Sequence, residues 1–245
     1  MVDDLHLDVP EWNPNHISNA QRQVLEWCYD NAAYLICTTY ELAKKLGRYK
    51  ARTMMAGNYM DFTPLPTTGN DVLYAGGNSH TGDLDLLNDL DTDRNVVVWS
   101  STLPEKWIRA YRDKHGTLKM KPHRPNYGWI NCTNDYELYN IYKKNLAKDF
   151  KYGLAPLVDC EFNKCKSTLK ALEYMAMGLI PVVSDVEPYS WLPNYACIKV
   201  KDNNWAEALE QKINYEDALY FYRQHYSWQI GELIWREVYE ELASV

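Results

Sequence analysis

Residues 162–185, FNKCKSTLKALEYMAMGLIPVVSD, constrain the fold more than any other stretch of the chain. Leu169, Leu172, Tyr174, Met175 and Ala176 recur at helical spacing and cover one broad face. Gly178 then stands where a helix end takes a left-handed residue as its cap. Ile180, Pro181, Val182 and Val183 follow without polar alternation, as in a strand covered on both faces. A helix feeding a strand of that kind is part of a βαβ crossover, which commits the chain to an α/β fold with a parallel sheet. Lys166 and Ser167 fall in the first turn of the predicted helix, where unpaired N–H groups and the helix dipole favour an anion. Glu173 lies about two turns further on, so it can share a side with Lys166. A cation for phosphate and a carboxylate for sugar hydroxyls suit a nucleoside diphosphate sugar. An ordinary amphipathic helix with solvated Lys and Glu has the same pattern.

The rest of the chain repeats the alternation. Strands are predicted near 72–75, 96–99, 128–131, 153–157, 180–183 and 198–200, with helical segments between them and helices over the last part of the chain. Trp205, Ala208 and Leu209, then Ile230, Leu233, Ile234, Val238 and Tyr239, supply the apolar stripes of these closing helices. Ahead of this Rossmann-like domain, helices near 20–33 and 40–46 and strands near 34–37 and 53–56 form a smaller α/β segment. Residues 63–69 hold two prolines and a glycine and read as the linker, which divides the chain into 1–66 and 67–245. Residues 1–16, acidic and rich in Pro and Asn, read as an arm, either mobile or docked.

In a parallel sheet, ligands bind beyond the carboxyl ends of the strands. Gly76 and Gly77 follow a predicted strand directly and precede a predicted helix at 83–90, so their backbone can approach a diphosphate; a tight turn also explains them. Asn78, Ser79 and His80 then offer hydrogen-bonding groups nearby. The acidic run Asp83, Asp85, Asp89, Asp91 and Asp93 diverges on a helix, and the histidines have no ligand spacing, so no metal is expected. Cys28, Cys37, Cys132, Cys160, Cys165 and Cys197 contain no paired motif and read as reduced thiols. No apolar run approaches the roughly 18 residues of a membrane span, and no signal peptide opens the chain, which predicts a cytoplasmic protein. A net charge of -7 argues against broad capture of nucleic acid, although Lys114, His115, Lys119, Lys121, His123 and Arg124 form a local basic strip. The 20 Tyr and 9 Trp, against 4 Phe, suit half-wet cores, partner surfaces and sugar stacking alike.

The run from Asn163 to Tyr174, NxxKSxLKxLEY, resembles the donor-binding half of GT-B glycosyltransferases, especially retaining, family-four-like ones and their short bacterial and bacteriophage relatives. The resemblance extends in family order through YLICTT at 34–39, ELAKKL at 41–46, GNYMD at 57–61, DVLYAGGNSH at 71–80, YGWIN at 127–131, residues 149–157 and YSW at 226–228. It implies a GT-B fold whose N-terminal, acceptor-side domain is only partly represented by residues 1–66. It implies a nucleoside diphosphate sugar as donor substrate, with no other cofactor, and a location in the cytoplasm, that of the host if the chain is phage-encoded. Glu173 matches the second glutamate of the family's Glu-x7-Glu signature, which holds the ribose hydroxyls. Cys165 stands at the position of the first glutamate, so the contact to the donor sugar is missing; Glu161 and Asp159 are the carboxylates near enough in sequence to replace it. Trp129 and Ile130 occupy the loop that contacts the nucleobase in the family, while a Trp packed beside a strand fits the residues equally well.

Two functions follow. One is transfer of a hexose to a hydroxyl acceptor, with Lys166, Ser167 and the Gly76-Gly77 loop stabilising the departing diphosphate. The other is a non-catalytic glycosyltransferase-like scaffold or virion-associated interaction protein, motivated by Cys165 and the short front segment. A homo-oligomer or a second subunit that completes the cleft would preserve catalysis.

Overall fold

A computed structural model describes residues 1–62, 67–76, 78–99, 127–130 and 147–244. The linker residues 63–66, Gly77, Asn131, Cys132 and the basic strip at 114–124 lie outside the described residues, as do the side chains of Asn78, Trp129 and Ile130. The large sheet contains β3 (Asp71–Ala75), β4 (Val96–Trp99), β5 (Tyr127–Ile130), β6 (Phe150–Ala155), β7 (Ile180–Ser184) and β8 (Ile198–Val200), in the order β5-β4-β3-β6-β7-β8. Every neighbouring pair is parallel. The order reverses between β3 and β6, and at such a switch point the crossovers leave a crevice at the carboxyl edge of the sheet.

Alternation along the strands divides the core between two faces. Leu73, Ala155 and Val183 join one cluster, with α5 (Leu169–Ala176) and α7 (Tyr215–Tyr226). Val72, Tyr74, Leu154 and Val182 join the other, with Leu84, Trp205 and Leu209. All of β7 is buried, as its unbroken apolar run predicts. Gly178 takes φ 87 after α5, with Gly178 N donating to Met175 O at 3.0 Å and Leu179 N to Tyr174 O at 2.9 Å. These are the two bonds of a Schellman cap.

The smaller segment pairs β1 (Tyr34–Cys37) with β2 (Arg52–Met55) in parallel, flanked by α1 (Asn19–Asn31) and α2 (Tyr40–Leu46). Ser18 and Gln21 form a capping box on α1, and Thr39 caps α2. The arm is docked. Val2 N donates to Ile36 O at 2.7 Å, and Leu5, Leu7 and Val9 are buried with Leu42 and Leu46 in a third core that also takes in Phe162 and Cys165.

Two predicted helices are revised. Residues 83–90 do not form one helix: α3 (Thr81–Leu84) passes at once into a 3-10 turn at Asp85–Leu87. Here Asp83 is wholly buried and accepts hydrogen bonds from another segment, which fixes the turn from below. The helix predicted with Lys166 and Ser167 in its first turn starts later. α4 (Glu161–Lys164) ends in i to i+3 bonds, Cys165 N to Phe162 O at 3.3 Å and Lys166 N to Asn163 O at 3.1 Å, before α5 begins at Leu169. The Ser167 hydroxyl accepts from Leu169 N at 3.4 Å, local competition that disfavours a continuous helix.

α6 (Trp205–Glu210), α7 and α8 (Trp228–Ala243) close the chain. α8 returns to the small segment: Met60 N donates to Tyr226 O at 2.9 Å and Trp228 N to Met60 O at 3.0 Å. Gly231 lies on the Tyr59 ring, where a Cβ would come 2.4 Å from Cγ. Leu233 and Tyr239, predicted to face inward, are exposed because α8 packs through Gly231 and Val238 instead. Among the described residues, no helix is long and apolar enough to cross a membrane.

Candidate functional site

The switch point is built around Tyr174. Its hydroxyl donates to Leu154 O at 2.8 Å and accepts from Ala75 N at 2.9 Å, tying together the carboxyl ends of β3 and β6. The ring fits only because residue 153 is glycine, since a Cβ there would lie 2.2 Å from Tyr174 Cγ. Burial pushes the Tyr174 phenol far up, so it stays neutral and keeps both bonds.

Gly76 leaves β3 at this edge, and Ser79 and His80 follow in a 3-10 turn. His80 Nδ1 is 2.9 Å from Asp83 Oδ2. Asp83 Oδ1 accepts from Val158 N at 2.9 Å and from Asn163 Nδ2 at 2.8 Å, so the buried carboxylate links the turn to the end of β6 and to α4. Asn13 Nδ2 donates to Ser79 O at 3.1 Å, and Trp12 covers Gly82; the arm thus secures the turn from outside. Burial lowers the His80 pKa against the opposing Asp83 hydrogen bond, and the positive charges of Lys166 and Lys170 push it the same way.

Lys166 and Ser167 occupy the connection between α4 and α5, outside the first helical turn in which the sequence puts them. Lys166 Nζ stands 4.8 Å from the centre of the Phe162 ring and, among the described residues, has no ion-pair partner. Lys164, by contrast, is neutralised by Glu161 at 3.1 Å and Asp159 at 3.4 Å. Both carboxylates suggested as replacements for the missing glutamate are therefore engaged, and Glu161 is also paired with Lys45 of α2. That hydrogen bond is the main cause of the lowered Glu161 pKa. Glu173, on α5, pairs with Lys170 at 3.0 Å.

Cys165 points away from the crevice into the core of the small segment. Burial raises its thiol to about 11. Thr39 donates to its carbonyl at 2.8 Å.

Lys166, Ser167 and Thr168 form one wall of a cavity of about 380 Å3 between the small segment and the large sheet. Thr39, Tyr40, Gly57 and Asn58 form the facing wall. Asn58 Nδ2 crosses it and donates to Ser167 Oγ at 2.8 Å. The geometry therefore gathers Lys166, Ser167 and Asn58 at the cavity. Gly76, Ser79, His80 and Glu173 are not among its lining residues. Trp129 and Ile130 end β5, two strands from the switch point. Asp83 and Asn58 escape a reading by spacing, because each acquires a distant partner through the fold. Among the described residues, no group of His, Cys, Asp or Glu is arranged to hold a metal ion. Lys166, without an ion-pair partner among the described residues, and the neighbouring Asn58 amide can together hold an anion at the sheet edge.

No family model matches the chain, and no curated protein matches its sequence. Among solved structures, it is similar to the sucrose-phosphate synthase of Thermosynechococcus elongatus, with a TM-score of 0.60 and 14% identity over 94% of this chain and 64% of that one. HepE of Anabaena, in complex with UDP-glucose, aligns with a TM-score of 0.64 and 12% identity over 97% of this chain and 71% of that one. TarM aligns with a TM-score of 0.61 and 12% identity over 98% of this chain but 49% of its own. The chain thus spans about half of TarM and under two thirds of the synthase. These neighbours are GT-B glycosyltransferases, and what is shared with them is the Rossmann-like α/β fold.

Proposed function

We propose that this chain binds a nucleoside diphosphate sugar at the carboxyl edge of its large sheet and transfers the hexosyl group to a hydroxyl acceptor. The observation that carries the reading is Lys166, without an ion-pair partner among the described residues, beside Ser167, immediately ahead of α5 and facing the small segment across a cleft. Departure of the sugar leaves negative charge on the diphosphate. The Lys166 ammonium, already beside that position, stabilises the charge as it develops. Glu173, held by Lys170, is assigned to the ribose hydroxyls, and Gly76 with Ser79 to the phosphate approach. The transferred group, the donor pocket and the acceptor all belong to this proposal.

Calorimetric titration with UDP, UDP-glucose and the GDP and ADP sugars tests it. Saturable binding of one nucleotide is expected, weakened about tenfold or more in Lys166→Ala, as for loss of a charge-assisted contact. Failure of every nucleotide to bind would overturn it.

A second reading has its own observation. Cys165 is buried in the core of the small segment with its thiol protonated, so no acid, base or sugar contact is available from that position. This favours a protein that binds the donor without turning it over. Donor binding with neither transfer nor hydrolysis of the sugar nucleotide would select it.

A further inference from the structure

We infer that the 380 Å3 cavity between the small segment and the large sheet is an acceptor site for a neutral saccharide, with Tyr40 and Trp191 as its stacking platforms. This deepens the glycosyltransferase reading and rests on it. The cavity is at the lower end of the roughly 300–1,000 Å3 typical of small-molecule sites.

Its two largest exposed rings come from different parts of the fold. Tyr40 opens α2 and is 70% exposed, whereas Trp191 lies in the segment between β7 and β8 and is 52% exposed. Trp191 is nevertheless set in orientation, with its ring centroid 5.8 Å from that of Tyr226. Neither ring is needed to fill a core, yet both line the same cavity.

Around them stand Glu41, Glu187, Asn58 and Ser167. A pyranose presents a face of C–H bonds and a rim of hydroxyls. The face stacks on the negative face of an aromatic ring, and vicinal hydroxyls donate to a carboxylate or amide oxygen. Rings with carboxylates at their edge match both parts of that surface.

The same walls argue against other acceptors. Glu41 and Glu187, in a protein of net charge -7, repel a phosphate-rich polymer. Of the lysines in the lining, Lys164 is already neutralised by Asp159 and Glu161, and Lys166 is assigned to the donor. Glu41 is paired with Lys44 and Glu187 accepts from Ser190, each with one oxygen, so a purely apolar acceptor would desolvate the remaining oxygens without offering them a donor. The cavity also adjoins Ser167, so a hydroxyl bound there lies beside the proposed diphosphate site.

The probe set is the methyl glycosides of glucose, galactose, mannose and N-acetylglucosamine with their α1,4- and β1,4-linked disaccharides. Each is titrated into the full chain while the indole N–H resonances are followed, and UDP is titrated separately by calorimetry. At least one saccharide is expected to shift the Trp191 resonance saturably. Trp191→Ala and Tyr40→Ala should each weaken that saccharide about tenfold, Trp191→Phe should restore most of the affinity, and UDP affinity should stay within about twofold. Two results overturn the inference: no saccharide shifts the Trp191 resonance, or binding is unchanged in both alanine variants. Retained UDP binding in either case leaves the donor reading standing. Saccharide binding without UDP binding would support this cavity and defeat the donor site instead.

Discussion

Cys165 shows how far a single position depends on its surroundings. Its thiol is raised to about 11 because α2 and the docked arm bury it, whereas Cys28 is exposed. Alkylation of the native protein at about pH 8 followed by peptide mapping should modify Cys28 and spare Cys37, Cys165 and Cys197. Rapid labelling of Cys165 would show that the small segment does not cover α4. His80 gives a pH prediction of definite sign. Its pKa is lowered by burial, so below its ordinary value of 6.5 the unfolded chain takes up a proton that the folded chain refuses. The stabilising contribution is full above that value and is lost as pH falls through the depressed folded pKa. Thermal unfolding measured between about pH 7 and 5 should show this decline, and His80→Gln should flatten it. Gly76, Lys166, Ser167 and Glu173 are candidates by residue type and spacing, and of these the fold brings Lys166 and Ser167 to the cavity. Asp83 could not be picked out, since its role depends on Val158 and Asn163, far along the chain.

At the scale of elements, helix α5 and strand β7 were the most legible part, because their apolar period, the glycine stop and the continuous run all agree. Gly178→Ala should cost about 1 to 2 kcal/mol, the penalty of a side chain at φ 87. Gly153→Ala should cost more, about 3 kcal/mol, because its Cβ would lie 2.2 Å from the ring that ties β3 to β6. Chemical denaturation of the two variants checks the order, and an equal loss would mean that Tyr174 moves aside freely. The break between α4 and α5 was not legible. Leu169 through Ala176 carry a strong helical stripe, but residues 162–168 are pulled between the Asp83 network and the core of the small segment, and neither pull is local in sequence. The short turn at Thr81–Leu87 has the same origin.

At the scale of the whole molecule, each sheet is fastened to the other by a chain end. The arm runs from the small sheet to the 78–82 turn through Trp12 and Asn13, and α8 runs from the large sheet back to Tyr59 and Met60. If a protease site is inserted at residues 63–66 and cut, the two fragments should still co-elute by size exclusion under native conditions; separation would show that the docking contacts are too weak to hold. The order of strands and helices was legible from their alternation, but these returns were not, since only the folded chain brings residues 12 and 231 to their partners. With both ends tied down, the opening is expected to act as a gauge of fixed span rather than as a pair of jaws. On the proposed function, a ligand would be sorted by its width before transfer.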